Sequence, residues 1–513
     1  MKGERVFRVP AFAAGLMACL IMASCGSDMR PSADQLISIG SHRLEIHIEG
    51  QGAPVVVIDA GITDTIDKLR PLQERLAQGT PVIAYNRAGY GRSQPGPLPR
   101  HAGREAEELK ALLEKASIPG PYVLVGHSLG CLNVQVFASK YPDDVAGMVL
   151  LDPPPISFLL GQEYQDLRGM AEKMTAEWQA GADSAANSAD VQGRAKSAFF
   201  RMIASEHGEM FGETAMQVDS ISTFGDMPLV VIAAGKPNPA FGGAAEEYQK
   251  YWVEQSRALA AKSANSRFIL AEESSHYLYL DVPELVAQNI LSVIDEVRTK
   301  PIIAKCAEAM GGADKIKEIR SLRAEVVYPD HDATPVLQEM RRPNLIRTER
   351  PGKYVAIFDG KRGALLEYNP AKPGQPPVPK NLPAEAARGF ETDLIWLFPS
   401  FFDFRSEYAG IVELKGAKCH KLIATLPLGT QAEYLIDAQT YLVKTIAVEE
   451  TYEGKVFRLE REWLDLKPVQ GIIYPGRMTY PGRDGKQATA EIKRVEFNPE
   501  LSDGRFRIPA DTR

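Results

Sequence analysis

Five residues decide the fold of this 513-residue chain: Gly126-His127-Ser128-Leu129-Gly130. They follow a continuous apolar run, residues 122–125, and precede a segment of helical character, residues 131–140. A serine between two such glycines, with a strand before it and a helix after it, lies on a tight turn that strains its backbone and exposes its hydroxyl. The glycines are needed because a side chain at either position would collide with the neighbouring strand or helix. The sequence therefore predicts that Ser128 is a nucleophile at the end of a buried strand.

Strand-like and helix-like segments alternate on both sides of this turn, over residues 35–298. Leu44, Ile46 and Ile48 alternate with polar residues, as on a half-buried antiparallel strand. Helical segments separate further runs of continuous apolar residues, which are typical of buried parallel strands. These runs lie at residues 55–58, 82–85, 122–125, 148–151, 229–233 and 268–270. The alternation predicts an α/β fold with a doubly wound, mostly parallel sheet that helices cover on both faces.

The alternation stops between residues 153 and 227, where helix-forming stretches occur without a convincing strand. The segment follows the sixth predicted strand, where a helical lid over the site around Ser128 is expected. A set of surface helices without a gating role is the alternative.

His276 is the histidine best placed to serve Ser128. A serine hydroxyl is a poor nucleophile unless a base lies within hydrogen-bond reach and an acid orients that base. His276 follows the last predicted strand and precedes the final helix of the alternating region. We expect His276 to be the catalytic base, whereas His127, inside the turn, is expected to be structural.

Two aspartates are candidates for the acid. The loop after the seventh predicted strand, residues 233–238, contains no carboxylate. Asp152 ends the sixth strand, beside the strand that carries Ser128, and a carboxylate there could reach the imidazole of His276. We expect Asp152 to complete the catalytic residues, with Asp226 as the second candidate.

Two backbone N–H groups are expected to form the oxyanion hole, which stabilises the charge that develops on a substrate carbonyl. One belongs to Leu129, the residue after the nucleophile, and the other to the loop after the third strand. That loop reads Asp59-Ala60-Gly61-Ile62-Thr63, and its candidate donor is the N–H of Ile62.

Residues 35–298 resemble the serine hydrolases of the α/β-hydrolase superfamily. The likeness rests on four segments, at residues 85–93, 120–130, 141–152 and 271–283. It implies the α/β-hydrolase fold and hydrolysis by a serine nucleophile, and it is specific to the superfamily rather than to a substrate. Asn86 stands where many relatives have Asp, and Cys131 where many have Gly, but neither is an expected catalytic residue.

The pattern changes after residue 300. A linker is expected at residues 299–303, followed by a helical start at residues 304–319. Short runs of strand character come next, with turn signals such as Asp359-Gly360 between them. Residues 304–513 are therefore predicted to form an α+β domain with a mostly antiparallel sheet.

This second region is similar to periplasmic proteins related to the outer-membrane lipoprotein-sorting carrier. The motifs lie at residues 307–316, 342–347, 434–437 and 506–509. The resemblance implies a curved antiparallel sheet whose helices close an acyl-chain cavity, and hence a lipid or lipoprotein ligand. The alternative is an ordinary core filled by aromatic side chains such as Trp396 and Phe401.

The first 25 residues are typical of a secretory signal peptide. A basic start precedes an apolar stretch, residues 10–22, and then Ala23-Ser24-Cys25. The segment ending at Cys25 resembles a bacterial lipobox, which implies cleavage before Cys25 and lipidation of that cysteine. We expect export to the periplasm, anchoring to the outer membrane through Cys25, and a linker over residues 26–34. An ordinary cleaved signal with a chance cysteine is the alternative.

Composition argues against several other classes. A net charge of −7 without a cluster of lysine and arginine argues against a nucleic-acid partner. The eight histidines lack the paired spacing of a metal site and no phosphate-binding loop is present, so neither a metal nor another cofactor is expected. Cys131, Cys306 and Cys419 form no disulfide framework, although Cys306 and Cys419 could pair.

Two functions fit these patterns. In the first, the chain hydrolyses carboxylic esters and its partner is a small ester or acyl substrate, with amides and lactones left open. In the second, the chain is a cell-envelope protein that binds lipid or lipoprotein, and residues 304–513 are its working part.

Overall fold

A single sheet organises the N-terminal half of the computed structural model. The structure describes residues 34–186, 190–330, 333–369, 371, 375, 377–382, 384–452, 455–482 and 486–509. The predicted signal peptide, residues 1–25, with Cys25, lies outside the described residues. The strands of this sheet are β1 (Gln35–Ser38), β2 (Arg43–Glu49), β3 (Val55–Asp59), β4 (Val82–Asn86), β5 (Tyr122–His127), β6 (Val145–Leu151), β7 (Leu229–Ala234) and β8 (Ser266–Ala271).

The strand order is β1-β2-β4-β3-β5-β6-β7-β8. The pairs β1–β2 and β2–β4 are antiparallel, and the remaining neighbours run parallel. The predicted doubly wound, mostly parallel sheet is therefore confirmed. Because parallel strands share one carboxyl edge, the residues that follow β3, β5, β6 and β8 are brought together there.

Helices cover both faces of the sheet and create two cores. Alternate residues of β3 supply both: Val55 and Val57 join one core, and Val56 and Ile58 join the other. This two-sided burial explains why the strand is apolar without alternation. The covering helices are α1 (Ile66–Ala77) and α10 (Pro283–Met310) on one face, and α2 (Ala102–Lys115), α3 (Leu129–Lys140) and α8 (Ala245–Ala260) on the other.

Residues 153–227 carry helices and, where they are described, no strand. They connect β6 to β7, and the longest two pack against each other. The predicted helices are therefore present in this segment, which is called the lid segment below. Its helices are α4 (Ile156–Leu159), α5 (Gln165–Ala186), α6 (Val191–Met210) and α7 (Glu213–Asp219).

The predicted linker at residues 299–303 is not extended, because α10 continues through it to Met310. Pro301 lies inside this helix. The first part of α10 packs on the N-terminal sheet through residues such as Ile290, and its last turns enter the C-terminal core through Ile302 and Cys306. Burial on both sides of Pro301 keeps the helix continuous although proline removes a backbone hydrogen bond. A short helix, α9 (Leu278–Asp281), precedes it.

A large antiparallel sheet forms the C-terminal half, as predicted. In the part of the chain that the structure describes it has thirteen strands, ordered β14-β13-β12-β11-β10-β9-β23-β22-β19-β18-β17-β16-β15. A separate pair, β20 (Lys467–Val469) and β21 (Ile472–Tyr474), lies beside it. The strands of the large sheet are β9 (Ser321–Val327), β10 (Val336–Arg341), β11 (Leu345–Arg350), β12 (Tyr354–Phe358), β13 (Gly363–Glu367), β14 (Val378–Asn381), β15 (Ser406–Leu414), β16 (Ala417–Thr425), β17 (Gln431–Asp437), β18 (Val443–Tyr452), β19 (Lys455–Leu464), β22 (Arg477–Pro481) and β23 (Gln487–Phe497).

Aromatic side chains fill the interior of this second half. The helices here are α11 (Ala313–Glu318) and α12 (Ala384–Leu397). Trp396 at the end of α12, with Phe398 and Phe401 just after it, is buried in the C-terminal core with residues of the large sheet. These aromatic residues therefore contribute to the buried core of this half.

The two halves meet at the amino ends of the parallel strands. A cavity of about 610 Å³ between them is lined by Leu229 and Arg267, at the starts of β7 and β8, and by Phe402 and Arg405 of the C-terminal half. The carboxyl edge that carries Ser128 is the opposite edge of the sheet. The C-terminal half is therefore attached at the end of the sheet away from Ser128.

No helix among the described residues is long and apolar enough to cross a membrane. Cys131, Cys306 and Cys419 are buried free thiols. The pairing of Cys306 with Cys419, which the sequence left open, is therefore not formed.

Candidate active site

Ser128 lies on the sharp turn between β5 and α3, with φ of 52° and ψ of −119°. This left-handed backbone is rare for a residue with a side chain. A Cβ on Gly126 would lie 2.6 Å from the Cα of Cys131, and one on Gly130 would lie 2.2 Å from the carbonyl oxygen of Asp59. Both glycines are therefore required by close approach of the backbone, as the sequence predicts.

Asp152 and His276 are brought together by the ends of β6 and β8. The Nδ1 of His276 lies 2.6 Å from Oδ2 of Asp152, and the other carboxylate oxygen accepts a hydrogen bond from the N–H of Ala234 at 2.9 Å. Asp152 is 3% exposed and has a φ of 51°. Because Nδ1 donates to Asp152, Nε2 of His276 is left as the basic nitrogen.

The hydroxyl of Ser128 has no hydrogen bond to any residue in the described part of the chain. Catalytic hydrogen bonds are often long before substrate binds, so the missing hydrogen bond does not exclude a hydrogen bond between Ser128 and His276 when substrate is bound. His276 is partly exposed, and the ring of Trp252 meets it edge-on with centroids 6.0 Å apart. The imidazole is thus packed on one side and open to a substrate.

His127 supports the loop that carries His276. Its Nε2 lies 2.9 Å from the carbonyl oxygen of His276, so this nitrogen donates the hydrogen bond. Burial lowers the pKa of His127, which favours the neutral ring. Burial would raise the pKa of Asp64, but the nearby ring of His127 and hydrogen bonds from Lys68 and Tyr279 outweigh it and lower that pKa to about 2.

The loop between β3 and α1 carries the expected second donor of the oxyanion hole. Gly61 allows the loop to approach His127, since a Cβ there would lie 2.7 Å from Nδ1 of that ring. Within the described residues, the N–H of Ile62 makes no hydrogen bond. Leu129 begins α3 directly after Ser128, where helix N–H groups have no partner inside the helix.

Asp226 is excluded as the acid by its position. It precedes β7 at the amino edge of the sheet, and its exposed carboxylate accepts a hydrogen bond from Lys300 at 2.5 Å. A carboxylate at that edge cannot reach an imidazole at the opposite one.

The sequence analysis missed Arg87, which is 2% exposed. It follows β4 and lies behind the loop of Ile62, with ion pairs to Asp59 and to Glu206 of α6. The only sequence signal was its position in the segment 85–93, a segment identified by resemblance alone.

Metal ligation finds no support in the described ranges: no group of three or more His, Cys, Asp or Glu side chains there is arranged to hold a metal ion.

Comparison with known proteins gives matches in the N-terminal half. A family model described as the alpha/beta hydrolase fold matches residues 54–184. The uncharacterised protein YqjL of Bacillus subtilis (strain 168) is 26% identical over 251 residues, which are 48% of this chain and 86% of that protein.

Two further matches are a hydrolase sequence and an esterase structure. The 2-(acetamidomethylene)succinate hydrolase of Mesorhizobium japonicum is 33% identical over 119 residues, which are 23% of this chain and 42% of that protein. A solved thermophilic esterase from Thermogutta terrifontis aligns with 52% of this chain and 99% of its own, with 18% identity and a TM-score of 0.38. Taken with the strand order and the turn at Ser128, the family match shows that the N-terminal half of this chain has the α/β-hydrolase fold.

Proposed function

We propose that this protein is a serine hydrolase that cleaves carboxylic esters through Ser128, His276 and Asp152. The contact between His276 Nδ1 and Asp152 Oδ2, at 2.6 Å beside the turn of Ser128, carries the proposal. The hydrolase of Mesorhizobium japonicum, a relative over part of the fold, supports hydrolysis as the reaction class.

The proposed reaction runs in two halves. Ser128 Oγ attacks the ester carbonyl carbon while its proton passes to Nε2 of His276, and Asp152 stabilises the resulting imidazolium. The N–H groups of Leu129 and Ile62 bind the negative oxygen of the tetrahedral intermediate. Collapse breaks the bond to the alkoxy group, which leaves as the alcohol with the proton from His276.

Water then completes the cycle. His276 removes a proton from a water molecule, whose oxygen attacks the acyl group on Ser128. The second tetrahedral intermediate uses the same two N–H groups. Its collapse releases the carboxylic acid and returns the proton from His276 to Ser128.

The proposal is tested by replacing Ser128 with alanine and measuring hydrolysis of p-nitrophenyl esters of several chain lengths. We expect kcat to fall by roughly 10⁴-fold or more, since the nucleophile is lost. The matched control is Ser139→Ala, an exposed serine at the far end of α3. Undiminished hydrolysis by S128A would refute the assignment, and matched amides and lactones in the same assay define the bond class.

We also propose that the protein is exported to the periplasm and anchored to the outer membrane through a lipidated Cys25. The support is the sequence of residues 1–25. Radiolabelled palmitate should be incorporated into the wild-type chain and not into Cys25→Ser. Labelling of the serine variant, or its absence from the wild type, would contradict the anchor.

A lipid or lipoprotein ligand for residues 304–513 is the second candidate, and it rests on the motifs of the sequence. Its test uses the full chain with a fluorescent fatty acid. Saturable binding that survives S128A would support a ligand site apart from the nucleophile. Absence of saturable binding would reject it.

A further inference from the structure

Arg87 uses every hydrogen-bond donor that it has. One terminal nitrogen donates to Oδ1 of Asp59 at 2.7 Å and to the carbonyl oxygen of Ala60 at 2.6 Å. The other donates to the carbonyl oxygen of Gly61 at 3.1 Å and to Oε2 of Glu206 at 3.1 Å, and Nε donates to Oε1 of Glu206 at 3.0 Å. These five bonds exhaust the guanidinium group.

The two carbonyl contacts fix the direction of two peptide groups. In a trans peptide the C=O and the following N–H point to opposite sides. When Arg87 holds the carbonyls of Ala60 and Gly61 on its own side, the N–H groups of Gly61 and Ile62 face the other way. The N–H of Ile62, which makes no hydrogen bond in the described part of the chain, is thereby held in one direction.

The lid supplies the partner that holds Arg87. Glu206 lies on α6 and is 1% exposed, and it binds Arg87 through both carboxylate oxygens. Tyr90 donates its hydroxyl to Oε2 of Glu206 at 2.5 Å and accepts a hydrogen bond from the N–H of Thr63 at 3.4 Å. Two paths therefore lead from α6 to the loop that contains Ile62.

We propose that Arg87 is a positioning residue that orients the Ile62 peptide for the oxyanion hole, and that Glu206 makes this orientation depend on the placement of lid helix α6. The inference rests on the proposed function. It adds a link between helix α6 and the site: displacement of α6 removes two of the five hydrogen bonds of Arg87 and so weakens its hold on the carbonyls of Ala60 and Gly61. The carbonyl of Gly61 then keeps a hydrogen bond from the N–H of Asp64 at 3.3 Å.

The test compares the buried Arg87 with a half-buried arginine that has the same kind of partners. Arg342, in the C-terminal half, binds the carboxylate of Asp403 and the carbonyl oxygens of Ile316 and Ile319 at 2.6 and 2.9 Å. Lysine keeps the charge but has three donors in place of five. R87K and R342K therefore lose similar contacts, while only Arg87 touches the loop of Ile62.

We expect R87K to lower kcat for a p-nitrophenyl ester by about 30-fold or more with KM within about threefold, since a lost oxyanion donor costs 10²–10³ in kcat. Inhibition by an alkyl trifluoromethyl ketone, which Ser128 converts to a tetrahedral oxyanion, should weaken by the same factor as kcat/KM. Inhibition by the matched methyl ketone, which lacks the stable oxyanion, should change little. R342K should leave kcat, KM and inhibition by both ketones unchanged.

A merely structural role for Arg87 predicts a different pattern. Inhibition by both ketones would then weaken by the same factor, or R87K and R342K would lose activity in proportion to their folded fractions. Either result overturns the inference. If R87K does not fold, Tyr90→Phe and Glu206→Gln replace it, because each removes one link and keeps the shape of the side chain. Both variants should weaken inhibition by the trifluoromethyl ketone more than inhibition by the methyl ketone. Equal weakening of inhibition by the two ketones rejects the link between α6 and the loop of Ile62.

The failure of this inference is distinguishable from the failure of the proposed function. The rate at which a fluorophosphonate labels Ser128 is measured in every variant, and it needs no ester turnover. If the wild-type protein is neither labelled by the fluorophosphonate nor active on esters, both proposals are refuted. If the wild-type protein is labelled at Ser128 and R87K is labelled at the same rate, only the proposed role of Arg87 is refuted.

Discussion

Residues with left-handed backbone include turn residues in the C-terminal half and residues of the proposed site in the N-terminal half. In the C-terminal half, Lys415 and Tyr441 lie in turns between neighbouring antiparallel strands. In the N-terminal half, Thr63, Ser128 and Asp152 follow parallel strands and surround the proposed site. A turn needs such backbone to reverse the chain, whereas a site uses it to aim a side chain or a peptide group.

The largest expected effect is obtained by comparing an aspartate of the proposed site with an aspartate that orders a turn of the C-terminal half. Asp152→Asn keeps the shape of the side chain but no longer stabilises an imidazolium at His276, so we expect kcat to fall by about 10³–10⁴-fold. The control is Asp437→Asn, which alters a buried aspartate that orders the turn after β17. Steady-state hydrolysis by the two purified variants makes the comparison. A near-normal kcat in D152N would remove Asp152 from the catalytic residues.

A second pair of variants compares glycines. Gly130→Ala places a Cβ 2.2 Å from the carbonyl oxygen of Asp59, whereas an alanine at Gly389 in α12 meets nothing within 4 Å. We expect G130A to lose about 3 kcal/mol or more of unfolding free energy through this overlap, and G389A to gain up to about 1 kcal/mol. Denaturant unfolding measures both. If G130A is as stable as wild type, the close approach at the turn is not present.

The pH dependence of local stability should have opposite signs around helix α6 in the N-terminal half and around helix α12 in the C-terminal half. Burial lowers the pKa of His207 in α6 from 6.5 to about 4, and burial raises the pKa of Asp393 in α12 from 3.8 to about 6. Below pH 6.5 the unfolded chain protonates His207 first, so its contribution is lost as pH falls toward 4. Asp393 is protonated first in the folded protein, so its contribution grows as pH falls through 6.

Hydrogen exchange by mass spectrometry at pH 7 and pH 5 measures this difference, after correction for intrinsic exchange rates. Peptides from α6 should lose protection at the lower pH, and peptides from α12 should gain it. His207→Asn should remove the first change and Asp393→Asn the second. A change of the same sign in the peptides of α6 and of α12 would contradict the two assignments.

The smallest expected effect concerns Asp226. Its exposed ion pair with Lys300 contributes little, because solvent screens charges at the surface. Asp226→Asn should leave kcat unchanged and alter thermal stability only slightly. A large loss of kcat would restore Asp226 as a candidate acid and would require a different arrangement of β7.

Much of the N-terminal half could be predicted because its signals are local. Continuous apolar runs indicated β3 to β8, and the glycines around Ser128 indicated the turn. The proximity of Asp152 and His276 also followed from the pattern, since both residues end parallel strands of one sheet. Each of these inferences needs only a short segment and the geometry of a parallel sheet.

Other features depend on contacts between distant segments of the chain and could not be predicted from the sequence. Arg87 acts through Asp59 and through Glu206, which lies more than a hundred residues away. The continuation of α10 through Pro301 depends on burial in two cores, which outweighs the local preference of proline to end a helix. The order of the large sheet is likewise a property of the whole half.

The position of β23 in that sheet has a consequence for how the protein is made. β23 lies between β9 and β22, and so it joins the strands of residues 321–381 to those of residues 406–481. Until the ribosome has released β23, each group of strands ends in an edge with unpaired N–H and C=O groups. Of the thirteen described strands of this sheet, the one synthesised last therefore joins the two groups, and a nascent chain stalled before β23 presents two open edges to chaperones and to other chains.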